Sequence, residues 1–274
     1  MIAAVVPARN EAKRIGNVLA SLRSLVDVII VVDDGSDDDT HLIVNNFGCV
    51  LVRNPENLGV GAATTCGLRH ALALGAKVLV CMDADGQHDP QWIPRAEGLI
   101  SRGGHDVVFG NRFHKLDGIP MTKILSNNFG WDVLRCLLGH HPTCWDVSCG
   151  FRIYSQRGAE ALEESAQRVP PGYAFVQASC MALHRASLRL TSAPVPAIYG
   201  HTVIGTPVGE LLQFLRWISE FPLYVTLARE WTAAIASNTP FRFTMTSWAD
   251  FETMMVIAVK VGDHVILQLD QSSR

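Results

Sequence analysis

The 274-residue chain is short of charge. Asp, Glu, Lys and Arg make up 18 % of it, where about 25 % is usual for a globular protein. Its 23 basic residues do not exceed its 26 acidic ones, and the formal charge is −3. No basic surplus exists to meet a nucleic-acid backbone. The apolar fraction of 48 % is too high for a disordered chain and enough for a large core. Long apolar runs are missing too. A membrane-spanning helix needs about 20 apolar residues in a row. The most apolar long stretch, 203–229, is broken by Glu210, Arg216, Glu220 and Pro222. The apolar start, 1–7, has no basic region ahead of it and is cut short by Arg9 and Glu11, so it does not read as a signal peptide. The expectation is a cytoplasmic protein with no transmembrane helix, in solution or peripheral on the cytoplasmic face of a membrane.

Several motifs are absent as well. The seven cysteines form no Cys-x-x-Cys pair, which favours reduced, mostly buried thiols. His140, His141, Cys144 and Cys149 are ligand types for zinc, but their spacing matches no standard zinc module. There is no G-x-x-x-x-G-K-[ST] phosphate loop. Gly59-Val60-Gly61 would need glycine at 64 for a dinucleotide fingerprint, and Thr64 stands there. H-E-x-x-H and G-x-S-x-G are also missing.

What is present alternates. Short apolar runs at 2–6, 26–32, 50–52, 77–82 and 106–109 read as buried strands. Between them, 12–25 places Ile15, Val18, Leu19, Leu22 and Leu25 on one helical face, and 61–74 is Ala-rich and helical. The alternation predicts an α/β fold with a mainly parallel central sheet flanked by helices. Segments 121–138 and 209–229 read as amphipathic helices. Each fits a core-facing helix or one lying on a bilayer. The tail is β-rich, with 254–261 and 264–269 flanking Gly262-Asp263 as a hairpin.

Parallel sheets bind ligands at the carboxyl ends of their strands, and two strand ends here are acidic. The first is Val32-Asp33-Asp34-Gly35-Ser36-Asp37-Asp38-Asp39-Thr40. Ser36 or Asp37 can cap the next helix. Asp33 and Asp34 are not needed for that, and adjacent carboxylates favour a cation or hydrogen-bond donors as partner. The second is Met82-Asp83-Ala84-Asp85-Gly86-Gln87-His88. Asp83 and Asp85 lie two apart, so extended backbone points both the same way. With Gln87 they can share one hard cation, and Mg²⁺ or Mn²⁺ suits such oxygen donors.

These stretches resemble family 2 glycosyltransferases. The resemblance rests on Val5-Val6-Pro7-Ala8-Arg9-Asn10-Glu11, Val32-Asp33-Asp34-Gly35-Ser36, Asn57-Leu58-Gly59-Val60-Gly61 and Asp83-Ala84-Asp85-Gly86-Gln87-His88, in the family's order, over residues 2–155. It implies a GT-A fold, a nucleotide-diphospho-sugar donor (UDP- or GDP-linked) and a divalent metal. Within the family, the chain resembles the polyprenyl-phosphate (dolichol-phosphate) mannose and glucose synthases through Gly110-Asn111-Arg112, the run from Asp146 to Tyr154, Gly172-Tyr173-Ala174-Phe175 and Ala193-Pro194-Val195-Pro196. It departs from that branch at 199–208, which has His201 but no Lys or Arg where the branch carries a basic segment. Beyond about residue 230 the resemblance ends.

The resemblance implies a transferase domain over 1–230, with a donor half at 1–112, an acceptor half at 113–230 and an extension at 231–274. It implies a donor site from Pro7, Ala8, Arg9, Glu11, Asp33, Asp34, Gly35, Asn57, Gly61, Asp83, Ala84 and Asp85. Asp83, Asp85 and Gln87 would be the metal ligands, and Asp85, Arg112, Asp146 and Arg152 the catalytic set. A phosphate acceptor is already an anion and needs no base. Arg112 and Arg152 match its geometry. A hydroxyl acceptor needs a general base, for which Asp146 is the candidate. Arg152 also fits a structural ion pair. The expected activity is inverting transfer of a sugar to a lipid phosphate. The alternatives are a hydroxyl acceptor, and a non-catalytic subunit that binds nucleotide sugars.

Overall fold

The apolar runs of the first half become strands. In the computed structural model the described residues are 1–114, 143–166 and 174–196, positions 119, 127, 130, 131, 134, 138, 172, 198, 233, 236 and 237, and short strands within 206–269. The chain divides into two compact units, one of Met1–Lys115 with Pro142–Gly200, the other of Leu116–His141 with His201–Arg274.

The first unit is built on a seven-stranded sheet. Its strands are β1 (Ile2–Ala8), β2 (Val28–Asp34), β3 (Val50–Asn54), β4 (Val78–Cys81), β5 (Val107–Asn111), β6 (Arg152–Ser155) and β7 (Leu190–Pro194). Their order is β3-β2-β1-β4-β6-β5-β7. Only β6 runs against its neighbours, pairing antiparallel with both β4 and β5. The central strands are buried on both faces: Ala3, Ala4, Val5 and Val6 of β1 are fully enclosed. That is why they read as unbroken apolar runs rather than as alternation. Each such Val or Leu contributes about 1.5–3 kcal/mol by burial.

Helices cover both faces. On one, α1 (Ile15–Leu22) buries Ile15, Val18, Leu19 and Leu22, one stripe at helical spacing. It shares a core with Val44 of α2 (Thr40–Asn46) and Ile93, Ala96 and Ile100 of α4 (Ile93–Ser101). On the other, α3 (Val60–Ala73) packs on β1 and β2 and against α5 (Gln156–Ser165), with α6 (Phe175–Arg185) beside them. Gly67 lets α3 sit close, since a Cβ there would collide with Val5.

The expected strands and both early helices are present within a few residues. The capping expectation is corrected. Asp39 stands at the N-cap of α2 and its side chain makes no cap bond. Ser36 Oγ instead accepts from the Asn10 N–H, and Asp38 accepts from the Thr40 N–H.

In the second unit, β8 (Thr206–Pro207), β9 (Phe241–Thr246), β10 (Thr253–Val261) and β11 (His264–Leu269) form an antiparallel sheet in the order β8-β11-β10-β9. Val261 pairs with His264 in antiparallel register, as the expected hairpin requires, and Gly262 and Asp263 lie outside the described residues. Of the expected helix at 121–138, the described positions Asn127, Gly130, Trp131, Leu134 and Leu138 are helical. The expected helix at 209–229 lies outside the described residues. Among the described residues no helix is long and apolar enough to cross a membrane.

Candidate active site

Strand order reverses between β1 and β4, since β1 leads outward to β2 and β3 while β4 leads toward β6. A crevice opens at the carboxyl ends of two strands where an order reverses. The loops leaving β1 and β4 are the ones the motifs occupy.

The β1 exit is tied to the β2 exit. Asn10, in left-handed backbone at φ 57, donates its N–H to Ser36 Oγ at 3.0 Å, and its side-chain oxygen accepts from the Asp37 N–H at 2.9 Å. The Glu11 N–H donates to Thr40 Oγ1 at 2.8 Å, and the Glu11 carboxylate accepts from Arg14. Asp33 is buried, and its Oδ1 accepts the Ser36 N–H at 2.9 Å. Its Oδ2 lies 3.3 Å from Arg53 Nε without an aligned hydrogen bond. Asp34 accepts from Asn54 Nδ2 and the Leu58 N–H on one oxygen and from the Gly59 N–H on the other, at 2.8–2.9 Å. Asp34 therefore fixes the 54–59 loop that starts α3. Gly35 has φ +68, and a Cβ there would come within 2.6 Å of the Glu56 backbone. Much of the acidity at 33–39 is spent on shaping these loops.

The β4 exit is a tight turn. Met82 and Ala84 are buried, and Gly86 reverses the chain at φ +75. Asp85 Oδ1 accepts the Gln87 N–H at 2.9 Å. Burial pushes the Asp83 carboxyl above the usual range, against the pull of Arg112 and Arg152. Burial and the neighbouring Asp83 push Asp85 up as well. Two carboxyls held up by burial, Asp85 also by Asp83, suit a bound cation, which reverses both effects. Asp83, Asp85 and Gln87 supply hard oxygen donors from one turn. Among the described residues no three His, Cys, Asp or Glu side chains converge on a metal position. Magnesium-type ions need no such cage, because they keep waters and take substrate phosphates. The donor set fits.

The segment carrying Asp146 to Tyr154 leans on this turn. A Cβ on Gly150 would collide with the Asp83 carboxylate. Arg112, at the end of β5, meets Asp146 side by side: Nε to Oδ2 at 2.7 Å and Nη2 to Oδ1 at 2.9 Å. The Arg112 N–H also reaches Oδ2 at 3.1 Å, and Nη2 donates to Ser148 Oγ at 2.8 Å. Arg152 is buried and donates to the carbonyls of Cys149 and Val176, to Ser179 Oγ and to Cys180 Sγ. Among the described residues its hydrogen-bond partners include no carboxylate, which corrects the reading as an ion pair. A recess of about 340 Å³, counting its open mouth, lies here, lined among others by Pro7, Val60, Thr64, Asp83, Gly150 and Phe175.

The glycosyl transferase family 2 model matches residues 3–163. The chain is a family 2 glycosyltransferase. The transferase is 30 % identical over 220 residues to the UDP-N-acetylglucosamine–dolichyl-phosphate N-acetylglucosaminyltransferase of Methanococcus voltae, covering 73 % of this chain and 86 % of the relative. It is 30 % identical over 202 residues to the undecaprenyl-phosphate mannosyltransferase of Micrococcus luteus, covering 70 % and 81 %. Among solved structures it resembles glucosyl-3-phosphoglycerate synthase from Mycobacterium tuberculosis in complex with Mn²⁺, UDP-glucose and phosphoglyceric acid. The TM-score is 0.58 at 22 % identity, covering 80 % of this chain and 79 % of that one. That likeness speaks for the fold, which is GT-A.

The transferase brings its expected residues together unevenly. Pro7, Ala8, Arg9 and Glu11 lie at the β1 exit beside the β4 turn, and Asp34 holds the segment leading into Gly61 through the Leu58 and Gly59 amides, while Asp33 is tied to Ser36 and Gly35 packs against the Glu56 backbone. Asp83, Ala84, Asp85 and Gln87 occupy one turn. Arg112 and Asp146 face each other, and Arg152 lies beneath the turn among thiols and carbonyls. Of the four zinc-type residues without zinc-module spacing, His140 and His141 lie outside the described residues. Cys144 rests against Cys180 at 3.7 Å, and Cys149 faces His88 at 3.9 Å. Sequence reasoning passed over His88 and Arg53. The signal for His88 was a histidine on the inner side of an acidic turn. Nothing in the sequence marks Arg53, which meets Asp33 across neighbouring strands.

Proposed function

We propose that the transferase is inverting and metal-dependent and moves a sugar from a UDP- or GDP-linked donor to a polyprenyl phosphate. It would work as a peripheral enzyme on the cytoplasmic face of a membrane. Residues 1–112 would bind the donor and 113–230 the acceptor, with 231–274 as an extension. The observation that carries the acceptor class is Asp146. This carboxylate, the candidate base for a hydroxyl acceptor, is buried and doubly bonded by Arg112. A base needs to reach its proton and take it. A phosphate needs no base. The two relatives named above, at 30 % identity, carry polyprenyl phosphates in their names.

In this reading Pro7, Ala8, Arg9, Glu11, Asp33, Asp34 and Gly35 border the base and ribose, with Asn57 and Gly61 alongside. Asp83, Asp85 and Gln87 hold Mg²⁺ or Mn²⁺, which when bound offsets the charge of the departing diphosphate. Arg112, its guanidinium plane set by Asp146, meets the acceptor phosphate, and Arg152 adds positive charge from below. An acceptor phosphate oxygen bonds the anomeric carbon as the bond to the diphosphate oxygen breaks on the opposite face. The nucleoside diphosphate leaves with the electron pair, and the anomeric centre inverts.

The test uses purified protein, radiolabelled UDP- and GDP-sugars, a polyprenyl phosphate in detergent, and Mn²⁺. A labelled, solvent-extractable lipid is expected with one donor and is lost with EDTA. No lipid product from any common donor would overturn the reading.

A further inference from the structure

His88 stands outside the mechanism so far, and nothing about its packing explains why it is a histidine. It is 5 % exposed. Its ring meets Phe151 edge-on at 5.9 Å, a contact that a phenylalanine or leucine would make as well. Its Nε2 lies 3.9 Å from the Cys149 sulfur, at the limit of a weak interaction. Its Nδ1 is buried without a hydrogen-bond partner. Buried polar atoms are nearly always paired, so an unpaired one calls for an explanation. The explanation lies in what Nδ1 is near. It stands 3.8 Å from Asp83 Oδ2. The Gly86 turn brings His88 back to Asp83, five residues earlier. Gly150 closes in on the same carboxylate from the other chain segment, where a Cβ would leave it no room. Asp83 is thus held between a backbone without a side chain and an imidazole with an unused nitrogen.

We infer that His88 is a positioning residue: its Nδ1–H donates to Asp83 Oδ2 and sets the other oxygen toward the divalent ion, an inference that rests on reading Asp83, Asp85 and Gln87 as the metal turn. Closing the gap from 3.8 Å to an ordinary N–H···O distance takes a carboxylate movement of about 1 Å. Carboxylates that bind metals are commonly oriented by a second hydrogen bond of this kind. A lysine or arginine would donate as well, but would place a permanent positive charge beside the ion. An imidazole with one N–H does not.

The test is Mn²⁺ affinity of the full chain, read from the electron paramagnetic resonance signal of free Mn²⁺ with UDP or, in a second series, GDP present. His88→Phe keeps the ring and loses the donor. His88→Asn keeps an amide N–H near Nδ1. His88→Gln carries its amide further out, near the Nε2 position, so it tests the same point without asking the core to take a larger ring. The expected result is a 10–100-fold weaker Mn²⁺ affinity for Phe and Gln, with Asn within about threefold of wild type. Melting temperatures without metal show that each variant is folded. The inference is overturned if a folded Phe or Gln variant binds Mn²⁺ as wild type does, or if Asn is as weak as Phe. The metal reading fails separately, and takes this inference with it, if the wild type itself binds no Mn²⁺.

Discussion

Replacing Asp85 by Asn is expected to lower kcat/KM about 10³-fold while the protein stays folded. The substitution preserves shape. An amide oxygen can still accept the Gln87 N–H that Asp85 Oδ1 accepts at 2.9 Å, so the turn keeps its form. What is lost is a negative oxygen on a side chain held beside Asp83. With only Asp83 and Gln87 left, the turn binds a hard cation poorly. The metal's help to a diphosphate leaving group is worth several kcal/mol, and about 4 kcal/mol corresponds to 10³ in rate. Raising Mn²⁺ should recover part of the loss, because the defect is in holding the ion. Steady-state kinetics over a range of Mn²⁺ concentrations checks this. Wild-type kinetics in the Asn variant would remove Asp85 from the site.

Replacing Arg112 by Met is expected to cost both stability and turnover, and the two can be separated. Asp146 has no exposed side-chain surface and draws three bonds from Arg112. Removing the guanidinium leaves a buried carboxylate with the Ser148 hydroxyl and N–H and the Arg112 backbone N–H as its partners. Breaking one side of a buried pair costs about 3–5 kcal/mol, which lowers the melting temperature by roughly 10 °C in a unit of this size. Exchanging both partners, Arg112→Met with Asp146→Leu, removes the stranded charge and is expected to restore most of that stability. It does not restore a cation for the acceptor phosphate, so turnover stays low. A double variant that regains both stability and turnover would make Arg112 a structural residue only.

Much of this site was legible because of how the sheet is buried. Parallel strands covered on both faces must be apolar throughout, so β1, β2 and β4 stand out, and the polar residues that follow them mark the crevice. That Asp83, Asp85 and Gln87 share the turn after β4 was readable for that reason. The parts that were not legible depend on partners far apart in the chain. Arg112 and Asp146 are 34 residues apart, and no local pattern says that they meet. Asp34 looked like a group waiting for a ligand, yet its carboxylate holds the Leu58 and Gly59 amides, 24 and 25 residues on. β6 runs antiparallel between β4 and β5, with Arg152 set among apolar neighbours, so neither period nor composition announces it. The same long-range packing decides that Arg152 is satisfied by carbonyls, a hydroxyl and a thiol rather than by a carboxylate.

The shortage of charge also gains a location. Eight of the 26 acidic residues stand at two strand ends, one group largely spent on shaping loops and the other including Asp83 and Asp85, both held above the usual carboxyl range by their surroundings. The acceptor class is the claim on which the proposed chemistry turns, and matched acceptors isolate it. Polyprenyl phosphate and the corresponding polyprenol carry the same chain and differ only in the phosphate. With Mn²⁺ and the competent donor, rapid formation of a sugar–phosphate-linked lipid from the first and none from the second is the predicted result. Equal or faster transfer to the polyprenol, or transfer only to a soluble hydroxyl acceptor, would contradict it.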